Sequence, residues 1–166
     1  MNESDVTLSL NCSVLSPLIS QMTVRLARKV ANIQLRMDRP TRKPKPPCCA
    51  VYTTTKGAYQ VQLVLCASRK TLRRIAQGML GESSGDPEEI EEAAKEFLNI
   101  LCGNIVSEIA HRYRANVLFS PPRFAHDGRH PPLGGSSERM SFQDGGDVEI
   151  DIIYNWRSAI IADSVK

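Results

Sequence analysis

Glu92-Ala-Ala-Lys-Glu96-Phe-Leu-Asn99-Ile-Leu-Cys-Gly103-Asn104 lies inside a longer run, Asp86 to Arg114, that reads as one helix. Asp86 can cap it, Pro87 suits the first helical position, and Glu89 can close a capping box with Asp86. Glu88 and Glu89 put negative charge at the positive end of the helix dipole. At about 100° per residue, Ile90, Ala94, Phe97, Leu101, Ile105 and Ile109 share one side, which predicts the core face. Glu92, Glu96, Asn99, Gly103 and Ser107 gather on the opposite face.

That opposite face carries carboxylates, a carboxamide and a glycine in a row. Glu96 and Asn99 are three apart and so are neighbours on a helix surface. A carboxylate accepts from a cation; a carboxamide donates and accepts at once and can hold a water. Gly103, without a side chain, lets another backbone come close. The plain alternative is a solvated helix face with scattered polar residues.

Working upstream, Ser68 can cap a short helix that runs to Leu80, with Leu72, Ile75 and Met79 on one side and Gly81 as its stop. Cys48 to Thr54 and Tyr59 to Cys66 predict a hairpin around Lys56-Gly57. Asp38 to Pro47 is a basic, proline-rich loop with Arg39, Arg42, Lys43 and Lys45. Such an arm suits an acidic partner or nucleic acid, but no aromatic residue interleaves it for base stacking. Asn32 to Met37 alternates as a strand through Ile33, Leu35 and Met37. A first long helix is expected to start at Ser16-Pro17, with Leu18, Ile19, Met22, Leu26 and Val30 as its apolar stripe. Residues 1–12 read as a short strand or a loose end.

Downstream, Asn116 to Ser120 reads as a strand ending at Pro121-Pro122. Residues 123–137, rich in glycine, proline and serine, are expected to be an irregular, flexible loop. His126 and His130 are four apart, a metal spacing only on a helix, which the glycines and prolines argue against. Arg139 to Gln143 and Asp147 to Tyr154 predict a closing hairpin across Asp144-Gly145-Gly146. These elements sum to a single α+β domain over 1–166, an antiparallel sheet with the long helices packed on one face.

Composition bounds the function classes. At 166 residues and 42% hydrophobic, the chain has the size and content of one globular domain. No apolar run reaches the roughly 18 residues of a membrane span, and Asn2, Glu3, Ser4 and Asp5 are not the basic start of a signal peptide. Five cysteines in no framework spacing point to a reducing, cytoplasmic setting. A net charge of +3 selects no partner class. There is no phosphate-binding glycine loop with a following lysine, no nucleophile elbow and no compact His/Asp/Cys set. Cys102, in mid-helix, reads as packing rather than as a nucleophile.

Three segments in order carry a resemblance: Ser16-Pro17-Leu18-Ile19, then Met79-Leu80-Gly81-Glu82, then Glu96-x-x-Asn99-x-x-x-Gly103-Asn104. Pro122 follows Asn99 after a gap of 22 residues. The pattern resembles the CheX members of the CheC/CheX/FliY family of chemotaxis phosphatases, from about Ser16 to Pro122 and more weakly through the last hairpin. Their signature is an acidic or serine residue, then Glu-x-x-Asn, then a proline after that gap. Glu92 departs from it, standing where aspartate or serine is usual.

The resemblance implies hydrolysis of the aspartyl phosphate on a CheY-type response regulator, in chemotaxis or related two-component signalling. It implies catalytic roles for Glu96 and Asn99, and partner contacts through Glu92, Gly103 and Pro122. It also implies a homodimer, with one active helix per chain because the first helix lacks Glu-x-x-Asn. No cofactor of its own is expected; magnesium belongs to the receiver domain. Neither nucleic acid nor membrane is an expected partner. The alternative reading is a non-catalytic adaptor of the same fold that binds a receiver.

Overall fold

The structure, a computed structural model, describes residues 12–39, 48–57, 59–81, 85–114, 117–133 and 137–158. Three helices and seven strands follow in the order α1 (Cys12–Ala31), β1 (Arg36–Asp38), β2 (Cys49–Gly57), β3 (Tyr59–Ala67), α2 (Arg69–Leu80), α3 (Pro87–Tyr113), β4 (Val117–Phe119), β5 (Arg123–Ala125), β6 (Ser137–Gln143) and β7 (Glu149–Ser158). Every strand pair is antiparallel, and the strands form one sheet in the order β1-β6-β7-β3-β2-β4, with β5 also on β2. The α+β expectation, helices against one face of an antiparallel sheet, is met.

Local chemistry sets the helix ends. The Ser68 hydroxyl accepts from Thr71 N at 3.1 Å, and Gly81, at φ +71°, closes α2 with its N–H on the Gln77 carbonyl. The Asp86 carboxylate accepts from Glu88 N at 3.0 Å and starts α3. The predicted core stripe of α3 is buried throughout; Phe97, Leu98, Leu101, Ile105 and Ile109 show no exposure at all. It packs with Leu15 and Ile19 of α1, Leu72 and Ile75 of α2, and the inward sides of β3 and β7. Val148, Ile150, Ile152 and Tyr154 bury as the alternation predicts. The opposite sheet face holds only a small cluster, Ala50, Val64 and Cys66, packed with Tyr52, Ala125, Leu133 and Ile153.

Helices α1 and α2 meet closely. A Cβ on Gly78 would lie 2.1 Å from the Ala31 carbonyl oxygen, so only glycine permits this approach. One turn earlier, Arg74 donates to the carbonyls of Ala31 and Asn32 at 3.3 and 3.4 Å, satisfying acceptors left open at the end of α1.

Four sequence readings need correction or restriction. First, α1 does not begin at Ser16-Pro17 but runs from Cys12, with Pro17 inside it. Proline within the second turn forfeits one backbone bond, and the buried stripe that continues on both sides outweighs that loss. Ser16 is not a cap; its hydroxyl meets that of Tyr154. Second, Ile33 and Leu35 are buried but precede β1, and Met37 is 59% exposed because β1 is an edge strand. Third, the stretch 123–137 is not wholly irregular, since Arg123–Ala125 pairs with Ala50–Tyr52 of β2 and Ser137 already belongs to β6. Last, most of the basic loop, residues 40–47, lies outside the described residues, as do 1–11 and 159–166.

Candidate functional site

The exposed face of α3 is as the helical spacing predicts: Glu92, Glu96, Asn99, Gly103 and Ser107 all face outward. Their separation from the core stripe follows from the period alone, because any residue about half a turn from Phe97 and Leu101 points away from the sheet. Among the described residues, neither Glu96 nor Asn99 has a side-chain polar partner. Glu92 does: its carboxylate holds the Lys95 ammonium at 2.6 Å, while Glu91 stands 3.8 Å from the same nitrogen. The bond to Glu92 raises the Lys95 pKa, and Lys95 is thereby drawn away from Glu96.

The second wall comes from strands distant in sequence. β4 pairs with Thr55–Gly57 and β5 with Ala50–Tyr52, so both lie along the same edge of β2. Between them, Ser120 N bonds to the Thr54 carbonyl at 2.8 Å, and the Thr53 hydroxyl donates to the Ser120 carbonyl. Pro121 and Pro122 follow; they have no N–H to give to β2, so the ladder breaks there and resumes at Arg123. An open groove results, lined by Glu92, Glu96 and Asn99 of α3, by Met79 and Leu80 at the end of α2, and by Phe119, Pro121 and Pro122.

Glu92, Glu96, Asn99 and Pro122 are thus brought together. Gly103 is not among the groove's lining residues; it lies one turn beyond Asn99 on the same face, where a Cβ would meet nothing within 4 Å. His126 and His130 lie in the turn after β5, not on a helix. His130 Nδ1 bonds to the Pro131 carbonyl, whereas His126 joins two helices. The Arg69 guanidinium donates to His126 Nδ1 at 3.3 Å, which leaves Nε2–H to donate to Glu91 at 3.2 Å. This tie from α2 to β5 to α3 escaped the sequence, as did Leu80, Phe119 and Pro121. The stop at Gly81 is the one local signal that placed Leu80 at an exposed helix end. Cys102 is buried in α3, and burial pushes its thiol pKa up, which fits packing and not nucleophilic chemistry.

Chemically, the groove floor offers one carboxylate and one carboxamide on adjacent positions of a rigid helix. It offers no nucleophile, and among the described residues no group of three or more His, Cys, Asp or Glu side chains is placed to hold a metal ion. Such a pair can position a cation and a water but needs a partner to supply the reacting group.

Residues 49–142, more than half of the chain, match the family described as chemotaxis phosphatase CheX. No curated protein sequence matches the chain. Among solved structures, CheX from Vibrio vulnificus superposes with a TM-score of 0.74 at 16% identity, over 90% of this chain and 99% of that one. CheX from Desulfovibrio desulfuricans gives 0.72 at 14% identity, over 87% and 99%. CheX of Borrelia burgdorferi, solved in a complex with CheY, BeF3 and magnesium, gives 0.68 at 19% identity, over 86% and 97%. These identities establish a shared fold, and the family match adds the rest: the chain belongs to the CheX family of chemotaxis proteins.

Proposed function

We propose that this protein is a phosphatase for the aspartyl phosphate of a CheY-type receiver domain. The observation that carries this reading is the pair Glu96 and Asn99, one helical turn apart, exposed, without polar side-chain partners among the described residues, and lining one groove with Pro121 and Pro122. The complex of the Borrelia relative with CheY supports a receiver as the partner.

An acyl phosphate is already activated, and a receiver holds its own magnesium and lysine for charge stabilisation. The missing component is an oriented water. Asn99, inserted beside the phosphoryl group, accepts from or donates to that water and holds it in line with phosphorus, an effect of positioning. Glu96 pairs with the receiver's active-site lysine and sets the register of docking. Neither residue acts as nucleophile or general base. Glu92, exposed and paired with Lys95 within α3, contributes a partner contact at the edge of the groove. Gly103 leaves room for the partner's backbone beyond Asn99.

Two copies are proposed to pair through sheet edges, where β1 and β4 each expose a large apolar residue, Met37 and Leu118. A dimer mass by light scattering at micromolar concentration is the expected result. No helix among the described residues is long and apolar enough to cross a membrane. The functional test is to mix the protein with receivers from its own cell, each phosphorylated by a small phosphodonor. One receiver should lose phosphate faster than it does alone; binding without acceleration for all of them would make the protein an adaptor.

A further inference from the structure

Leu80 is an exposed leucine with no fold-level reason to be one. Its helix buries Leu72 and Ile75 completely or nearly so, yet Leu80 is 51% exposed. The helical period places it there: Leu80 lies five residues past Ile75, about 140° around α2 and off its buried stripe, in the last turn before the Gly81 cap. Met79 and Phe119, both half-buried, and the two prolines add apolar surface to the same groove. The α3 part of the groove is acidic. Asp86, Glu88, Glu89, Glu92 and Glu96 line it against one lysine, Lys95, which Glu92 and Glu91 already engage, although the chain as a whole is net positive.

Resting on the receiver reading above, we propose that this apolar wall, with Leu80 at its head, selects which receiver is served. A body that reaches Asn99 through the groove meets both the polar residues of α3 and these apolar ones. The partner that fits presents an apolar side chain against Leu80 and a basic side chain toward the acidic rim, both beside its phosphorylated aspartate. Leu80 touches no reacting atom; it acts on affinity, and so on choice among receivers.

The test is the rate of receiver dephosphorylation against receiver concentration for the wild type, Leu80→Ala, Leu80→Asp and Gln21→Asp, with melting followed for each. Leu80→Asp should raise KM tenfold or more and leave kcat within twofold; Leu80→Ala should move KM the same way by less. Gln21→Asp, which adds the same charge at an exposed position of α1 away from the groove, should match the wild type in KM. Added salt should raise the wild-type KM through the acidic rim. An active wild type with unchanged KM in Leu80→Asp overturns the inference while sparing the phosphatase reading. Unchanged KM together with a smaller particle mass for Leu80→Asp alone would assign the wall to a second copy of this chain. A wild type inactive on every receiver overturns the phosphatase reading instead. Affinity for beryllofluoride-loaded receivers, by calorimetry, then still reads Leu80, and equal affinity with and without Leu80→Asp, or no binding at all, overturns the inference.

Discussion

The two faces of α3 share one backbone and differ in everything else. On one, Ala94, Phe97, Leu101, Ile105 and Ile109 are buried against the sheet and the other helices. On the other, Glu92, Glu96, Asn99 and Gly103 meet solvent, and two of the four lack polar partners among the described residues. The buried face fixes where the helix sits; the exposed face uses that rigidity. Side chains that must act on a partner gain from being mounted on an element that cannot shift, because sub-ångström positioning is what they contribute. Substitutions on the first face should therefore act on stability alone, and those on the second on activity alone.

Phe97→Ala should be the most damaging to stability. It empties a fully buried position and should cost about 3–5 kcal/mol, a fall in melting temperature on the order of 10 °C for a chain of this size. Thermal melting followed by circular dichroism checks it; a change under 1 kcal/mol would break the comparison. Gly78→Ala should come next, with a loss of roughly 1–3 kcal/mol despite alanine's better helix propensity, since the added methyl collides with the Ala31 carbonyl. Denaturant unfolding would show it as a lower midpoint.

Glu96→Ala should leave stability within about 0.5 kcal/mol, as exposed positions generally do. It should weaken both receiver affinity and turnover, since the proposed charge-assisted contact to the partner's lysine would act in the bound ground state as well as in the transition state. Titration calorimetry beside the phosphatase assay separates the two.

The smallest effect is one of pH. The Lys70 ammonium, 2.8 Å from Asp147, holds that carboxyl below its ordinary value. A depressed folded-state pKa contributes stability above the unfolded-state value and loses it as pH falls through the folded-state value. Both partners are exposed, so Asp147→Asn should barely change the melting temperature at neutral pH and should slightly flatten its decline in acid. A large shift at neutral pH would contradict this.

How much of this was legible in the residues depends on range. Ser68, Gly81, Asp86 and Pro87 act within one helical turn, so the ends of α2 and the start of α3 could be read directly. The closing hairpin and the sorting of α3 into faces were equally local; in the first hairpin the strands were legible but not the turn, because Lys56 and Gly57, expected to make it, extend β2 and pair with Leu118 and Val117 of β4. The start of α1 was misread because a proline in the second turn looks like a first-turn proline, and only the packing of Leu15 against the core shows the helix already under way. β5 is three residues long and exists because β2 offers it a free edge some seventy residues away; nothing in Arg123-Phe124-Ala125 announces that. The acidic floor of the groove was therefore visible in advance, and its apolar wall was not. That wall needs the end of α2, β4 and the proline break to converge, and convergence is a property of the sheet.

The central claim is that Asn99 acts on the chemical step and not on docking or folding. The most direct measurement compares wild type and Asn99→Ala for phosphate loss from a labelled receiver, with affinity for that receiver and melting temperature taken on the same preparations. Asn99→Ala should lose most of the acceleration, about a hundredfold or more if water positioning dominates, while affinity and melting stay close to wild type. Dephosphorylation by Asn99→Ala at the wild-type rate would contradict the mechanism and leave a receiver-binding adaptor in its place.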